Sequence, residues 1–174
     1  GDSGVVDGWW GSGTISGDAA GDNNSTCVGG VVGNNGGKGL VCNTWADVQI
    51  VAKGSDTGAG GIVGWTSNDS AVINCAAFGT IGNYCEGSMM YGAGGIVGYS
   101  CGAIYACYSD VTLHMDAMSD AGDGSDVPIG GIAGAPASCT AAYRCWFNAD
   151  AVQPSYTDDA VDGPVAVGYS TLRY

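Results

Sequence analysis

Gly60-Gly61-Ile62-Val63-Gly64, followed by Val72-Ile73-Asn74-Cys75 and then Phe78-Gly79-Thr80-Ile81-Gly82, is the stretch on which the reading of this chain turns. Its opening motif recurs upstream as Gly29-Gly30-Val31-Val32-Gly33. Downstream it recurs as Gly94-Gly95-Ile96-Val97-Gly98 and Gly130-Gly131-Ile132-Ala133-Gly134, so that the steps are 31, 34 and 36 residues. Pro164-Val165-Ala166-Val167-Gly168 is a degenerate fifth copy. A second landmark follows the first: Cys42, Cys75, Cys107 and Cys145 fall 9, 11, 9 and 11 residues after the last Gly of each motif. Two landmarks that keep phase through four copies mark a repeat protein.

Around these cysteines the pattern has period two. Leu40, Ile73, Tyr105 and Tyr143 stand two residues before; Ala46, Gly79, Val111 and Ala149 stand four after; Val48, Ile81, Leu113 and Ala151 stand six after. The odd offset between the last two sets carries Asp47, Thr80, Thr112 and Asp150. Alternation of this kind, rich in β-branched residues, predicts half-buried strands. Each copy offers about three: the Gly-Gly-Ile-Val-Gly segment, a strand entering the cysteine and a strand leaving it. No helical run separates them, so a βαβ architecture is excluded. Gly/Asp/Ser-rich stretches such as 53–59 and 119–126 read as corner loops.

Repeats of this length cannot each bury their own apolar face and must stack. The expected fold is therefore an all-β β-solenoid of four to five coils of roughly 34 residues, with equivalent strands about 4.8 Å apart and a body about 25 Å tall. The whole chain, 1–174, is one domain. Residues 1–28 form an N-terminal partial coil, in which Gly13-Thr14-Ile15-Ser16 echoes Gly79-Thr80-Ile81-Gly82. Repeats follow at 29–59, 60–93, 94–129 and 130–163, and 164–174 form a C-terminal partial coil. A β-sandwich or a set of propeller blades is the alternative, because the variable spacing fits either. The paired glycines suit sharp corners or close approach of backbones, having no Cβ.

Composition narrows the function classes. Glycine occupies 33 of 174 positions without the every-third spacing of collagen, and 45% hydrophobic content is too high for a disordered chain. The net charge is −13, and Lys38, Lys53, Arg144 and Arg173 are too few and scattered to neutralise a phosphate backbone, which excludes nucleic acid as a partner. No apolar run approaches the roughly 20 residues of a membrane span. No signal sequence opens the chain, so Gly1 reads as a processed or trimmed start.

The eight cysteines lack the paired spacing of a zinc site, and one His, His114, cannot supply its ligands. They read instead as disulfides in an oxidising space, secreted or at the cell surface. With one further cysteine per copy, the repeat favours each coil stapling itself: Cys27–Cys42, Cys75–Cys85, Cys101–Cys107 and Cys139–Cys145. The last two share a six-residue spacing, Cys-Gly-Ala-Ile-Tyr-Ala-Cys and Cys-Thr-Ala-Ala-Tyr-Arg-Cys. Each such loop is expected to add roughly 2–3 kcal/mol.

The stretch quoted at the outset resembles the GLUG motif, a short repeat of bacterial and archaeal surface proteins, among them adhesin-like proteins and immunoglobulin A-cleaving peptidases. The resemblance covers about residues 29–152 and is strongest in the second and third copies; the fourth departs at Ala133, Tyr143 and Arg144. It implies a surface-exposed repeat module, a stalk or adhesive region, and no catalytic residues.

Candidate sites are few. Asp116, Asp120, Asp123 and Asp126 form the densest acidic cluster, oxygen ligands on a Gly-bearing loop that suit calcium, although the terminal Glu of an EF-hand is missing; Asp158, Asp159 and Asp162 form a second cluster. No cofactor is otherwise required. Asn23, Asn24 and Asn68 head glycosylation sequons. Gly1-Asp2-Ser3-Gly4 matches the nucleophile segment of trypsin-like proteases, but the His and Asp that such chemistry needs do not precede it. His114, between Leu113 and Met115, reads as an outward strand residue. Of the aromatics, the pair Trp9-Trp10 is the candidate contact surface.

Three functions fit. The first is a non-enzymatic extracellular structural protein, an adhesin stalk module or the subunit of a filament. Its terminal coils are then either capped or docked end to end between chains. The second is a carbohydrate- or ligand-binding module of a secreted or surface protein. The third is a piece appended to a secreted hydrolase.

Overall fold

The computed structural model of the chain describes residues 3–18, 25–53, 56–84, 92–114, 129–136 and 141–151. The first coil runs through β1 (Val5–Asp7), β2 (Trp10–Asp18), β3 (Ser25–Gly29) and β4 (Val32–Asn35). The second has β5 (Leu40–Cys42), β6 (Trp45–Lys53), β7 (Asp56–Gly60) and β8 (Val63–Thr66). The third has β9 (Ala71–Ile73), β10 (Ala76–Tyr84), β11 (Gly92–Gly94) and β12 (Val97–Ser100). The fourth has β13 (Ala103–Tyr105), β14 (Tyr108–His114), β15 (Ile129–Gly130) and β16 (Ala133–Pro136). In the fifth, β17 (Ala141–Tyr143) and β18 (Trp146–Phe147) lead into a 3₁₀ turn at Ala149–Ala151.

Each strand pairs in parallel with its equivalent one coil away, giving four sheets. Face 1 is β1-β5-β9-β13-β17 and face 2 is β2-β6-β10-β14-β18; face 3 is β3-β7-β11-β15 and face 4 is β4-β8-β12-β16. The fold is all-β and solenoid-like. The echo of Gly79-Thr80-Ile81-Gly82 in Gly13-Thr14-Ile15-Ser16 is a true register, since both segments pair with Val48 to Val51 of β6.

A coil has four strands, not three. The Gly-Gly-Ile-Val-Gly segment is a corner between two of them: Gly60 ends β7 and Val63 begins β8. The corner is itself a ladder, because Gly61 N–H donates to Gly94 O at 3.2 Å and Ile62 N–H to Ile96 O at 3.0 Å in the next coil. Its glycines are required by approach of backbone to backbone. A β-carbon on Gly64 would stand 2.6 Å from Val28 N and from Gly33 O, and one on Gly61 would stand 2.6 Å from the Ala77 Cβ. Residues 56–59, expected in a corner loop, are part of β7.

Inside, alternation and register together build columns of like residues. Val41, Val72 and Ile104 line face 1; Ile50, Ile81 and Leu113 line face 2; Ile62, Ile96 and Ile132 fill the glycine corner, all essentially without solvent exposure. They belong to one continuous core. The turn from face 4 to face 1 is polar yet satisfied. Buried Asn35 donates to Gly39 O at 3.2 Å and Ala71 O at 3.4 Å, and Thr66 donates to Ser100 Oγ at 3.2 Å.

The cysteine phase needs correcting in the first copy. Cys42 pairs with Ile73, not with Cys75; the residue level with Cys75 is Thr44, whose hydroxyl donates to Cys75 Sγ at 3.2 Å. The interior column is therefore Thr44, Cys75, Cys107 and Cys145. Cys42 stands two residues upstream with its side chain half-exposed. The slip moves Cys42 from the interior column to the outward side of face 1, but it leaves Ala46, Val48 and Ile50 of β6 facing inward, so the alternation of that strand alone could not reveal it.

The in-coil disulfides are not seen among the described residues either. Cys27, Cys42, Cys75, Cys107 and Cys145 are free thiols. Cys27 lies on β3 of face 3 and Cys42 on β5 of face 1, so two different walls carry the expected pair. Between Cys101 and Cys107 the chain runs extended as β13, which keeps their backbones beyond the roughly 4.4–6.8 Å that a disulfide spans. Cys85 and Cys139, the partners expected for Cys75 and Cys145, lie outside the described residues.

Two substitutions test this packing by urea unfolding. Ile96→Ala, in the middle of the stack, is expected to cost about 2–5 kcal/mol. Gly61→Ala, which forces a methyl into Ala77, is expected to cost about 1–3 kcal/mol or more, whereas Gly36→Ala on the exposed turn should change stability by less than about 0.5 kcal/mol.

Candidate functional site

The alternation that buries Ala46, Val48, Ile50 and Ala52 of β6 turns Trp45, Asp47 and Gln49 outward. Register then makes each outward residue one member of a column running along the stack. The first column of face 2 is Trp10, Trp45, Ala76, Tyr108 and Trp146. The second is Ser12, Asp47, Phe78 and Asp110, and the third Thr14, Gln49, Thr80 and Thr112. Ala76 interrupts the aromatic column, and Phe78, one column over, closes the gap. Its ring centroid lies 5.6 Å from Trp45 and 5.9 Å from Tyr108, tilted by 49° and 54°. The result is an aromatic stripe crossing five strands, about 19 Å from first to last at about 4.8 Å per strand. Trp10 is 76% exposed, and Trp45 and Trp146 are each 38% exposed.

Carboxylates flank the stripe. Asp47 and Asp110 sit on either side of Phe78 in register, and Asp110 accepts a hydrogen bond from Asn148 Nδ2 at 2.8 Å. No Lys or Arg occupies any of the three columns. Among the described residues, Lys53 ends β6 two columns beyond Gln49, Lys38 lies on the turn before β5, and Arg144 holds its guanidinium 5.8 Å from the Tyr105 ring centre on face 1.

Face 1 shows a different surface. Val5, Leu40, Ala71, Ala103 and Ala141 form one outward column, and Asp7, Cys42, Ile73, Tyr105 and Tyr143 the other. Faces 1 and 2 meet at a corner whose residues adopt the left-handed conformation: Gly8 (φ 69°), Asn43 (52°), Asn74 (53°), Ala106 (53°) and Arg144 (52°). Asparagine tolerates this conformation better than other side chains that carry a Cβ. Here it is also bonded along the stack: Asn74 Nδ2 donates to Asn43 Oδ1 at 2.7 Å, and Asn43 Nδ2 to Asp7 Oδ1 at 2.8 Å.

Of the expected contact pair, only Trp10 joins the stripe. The Trp9 indole fills the space that a β-carbon on Gly11 would enter, at 2.7 Å, on the inward side of β2 where β6 and β10 carry Ala46 and Ala77. Trp9 thus packs over Gly11 while remaining 42% exposed. Asn68 is exposed on the turn between β8 and β9, as a sequon requires, while Asn23 and Asn24 lie outside the described residues. So do Asp116, Asp120, Asp123 and Asp126, the acids expected to hold calcium. Among the described residues no three His, Cys, Asp or Glu side chains group as a metal site. His114 ends β14, as expected for a strand residue. No helix among the described residues is long and apolar enough to cross a membrane.

The interior thiols are electrostatically distinct from the outer ones. Interaction with the Cys107 thiol, with Thr44 assisting, draws Cys75 down to about 6, and interaction with Cys107 draws Cys145 down to about 7. Cys107, between them, is pushed up by its two thiol neighbours and by burial. Burial also pushes Cys27 up, and Cys42 is raised by desolvation and by the Asp7 carboxylate.

Compared with known proteins, the chain matches no family model, no curated protein and no solved structure. The fold and surface define its class: a stack of parallel strands with a free interior thiol column and an aromatic, acidic outer face. The aromatic stripe was not visible as a sequence motif, because its members come from five strands and Phe78 occupies a different column from the others. Aligning Asn43 with Asn74, instead of Cys42 with Cys75, is the signal that gives the register.

Two predictions follow from the corner and the thiols. Ala106→Asn relieves left-handed strain and is expected to stabilise the fold by about 0.5–1 kcal/mol in denaturant unfolding. Iodoacetamide on native protein should modify Cys27 and Cys42 and spare buried Cys75, Cys107 and Cys145. Modification of Cys27 and Cys42 should accelerate only as pH rises beyond the ordinary thiol value of 9.0, since the thiolate is the reactive form. Mass spectrometry of the modified peptides reads both outcomes.

Proposed function

We propose that this chain is a non-enzymatic structural module of an extracellular or cell-surface protein, a stalk or filament unit of the GLUG-like kind. The observation that carries the reading is the stack itself: four parallel sheets whose hydrogen bonds all run along one axis, with the corners laddered as well. Such a body resists extension along that axis through many backbone bonds at once. The surface location draws its support from the resemblance of residues 29–152 to the GLUG motif. With Cys27, Cys42, Cys75, Cys107 and Cys145 free, it draws none from disulfides at these positions.

The ends support self-association. Among the described residues β1, β2, β3 and β4 have no strand on their outer side, and β15, β16, β17 and β18 have none on theirs. Strands of the same polarity and spacing stand at both ends, so the end of one chain can receive the start of the next in a heterologous, non-closing contact. Negative-stain electron microscopy of purified protein should then show filaments with an axial repeat of about 20–25 Å. Particles that stay monomeric at high concentration by light scattering overturn the filament reading.

A further inference from the structure

We propose that the outer surface of face 2 binds a neutral β-linked polysaccharide laid along the stacking axis. The three columns there are graded in chemistry: an aromatic stripe, a row carrying Asp47 and Asp110, and a row of hydroxyl and amide groups at Thr14, Gln49 and Thr80. A pyranose has the same gradation, with an apolar C–H face and a rim of hydroxyls. The aromatic faces are electron-rich and attract the slightly positive C–H groups. Carboxylates that accept but do not donate pair with vicinal hydroxyls, which donate to both oxygens.

Charge decides between occupants. The columns contain two carboxylates and no cation within a chain of net charge −13, so an anionic polymer is repelled. A second copy applied face to face would bring Asp47 and Asp110 against their own kind, and these side chains are not compensated by any Lys or Arg in the columns. An uncharged polyol meets neither obstacle. Geometry favours a β-linked chain: the stripe runs along the stacking axis for about 19 Å, stepping one column over at Phe78, and exposes Trp10 and Trp146 on its end strands and Trp45 on its second strand, matching an extended ribbon of several sugar rings. The inference is independent of end-to-end assembly, since face 2 is a side wall and not an end.

The test is titration of the full chain with a panel of neutral β-linked hexasaccharides (cello-, xylo-, manno- and chitohexaose), followed by tryptophan fluorescence and calorimetry. At least one should bind saturably. Trp10→Ala, at a mostly exposed position, and Trp45→Ala should each weaken that binding roughly fivefold to tenfold. Tyr143→Ala on face 1 should leave it unchanged, and polygalacturonate should not compete. The proposal is overturned if no hexasaccharide binds at millimolar concentration, if binding survives both tryptophan variants, or if polygalacturonate binds more tightly. Loss of self-association in Trp10→Ala without any glycan binding would assign the stripe to a second copy and overturn it as well.

Discussion

Contact between backbones at the paired glycines sets the dimensions of this molecule. The second glycine of each pair faces the wall across the coil. A β-carbon on Gly30 would stand 3.2 Å from that of Ala46, one on Gly61 2.6 Å from that of Ala77, and one on Gly95 2.8 Å from that of Ser109. The third glycine of the motif does the same against the preceding coil, where Gly98 lies on Gly58 and Ala59. The coil is consequently thin, and its interior has room for single columns of Ile and Val and little more. Any side chain at these glycines would thicken the coil and break its register with both neighbours.

Register is what converts a modest sequence into a surface. One Trp on one strand is a scattered apolar residue of no consequence. Once Trp10, Trp45, Phe78, Tyr108 and Trp146 are brought together from successive coils, they form a continuous stripe with carboxylates at a fixed lateral distance. The same rule places Asn74 on Asn43 and Asn43 on Asp7, so that residues needed for a left-handed corner are bonded along the stack. It also puts Cys75, Cys107 and Cys145 in one interior line, where they pack as small hydrophobes and perturb one another's ionisation.

Much of the fold was legible. The repeat, the inward and outward alternation and the role of the glycines can be read from spacing, because stacking demands that equivalent positions keep equivalent chemistry. The number of strands per coil was misread, since Gly60-Gly61-Ile62-Val63-Gly64 has strand-like composition and yet bends at its middle. The pairings Cys27–Cys42 and Cys101–Cys107 were misread because a cysteine count carries no information on which wall of a coil each cysteine occupies. Of the candidate surface, Trp10 was anticipated and Trp9 was not separated from it: the pairing of Trp10 with Trp45 is what places one of the two in the stripe and not the other.

By itself the amino-acid sequence determined that this chain is a β-strand repeat with glycine pairs in phase, and left a sandwich or propeller open beside the stack of coils, because period-two alternation fixes strands and not how they close. Only the tertiary structure decided the register that sets Thr44, and not Cys42, level with Cys75. A two-residue slip leaves the inward residues of β6 facing inward, so the alternation of that strand cannot distinguish it, whereas the pairing between coils sets Cys42 against Ile73. The aromatic face is decided at that same level, since its residues are neighbours only across strands that lie one coil apart.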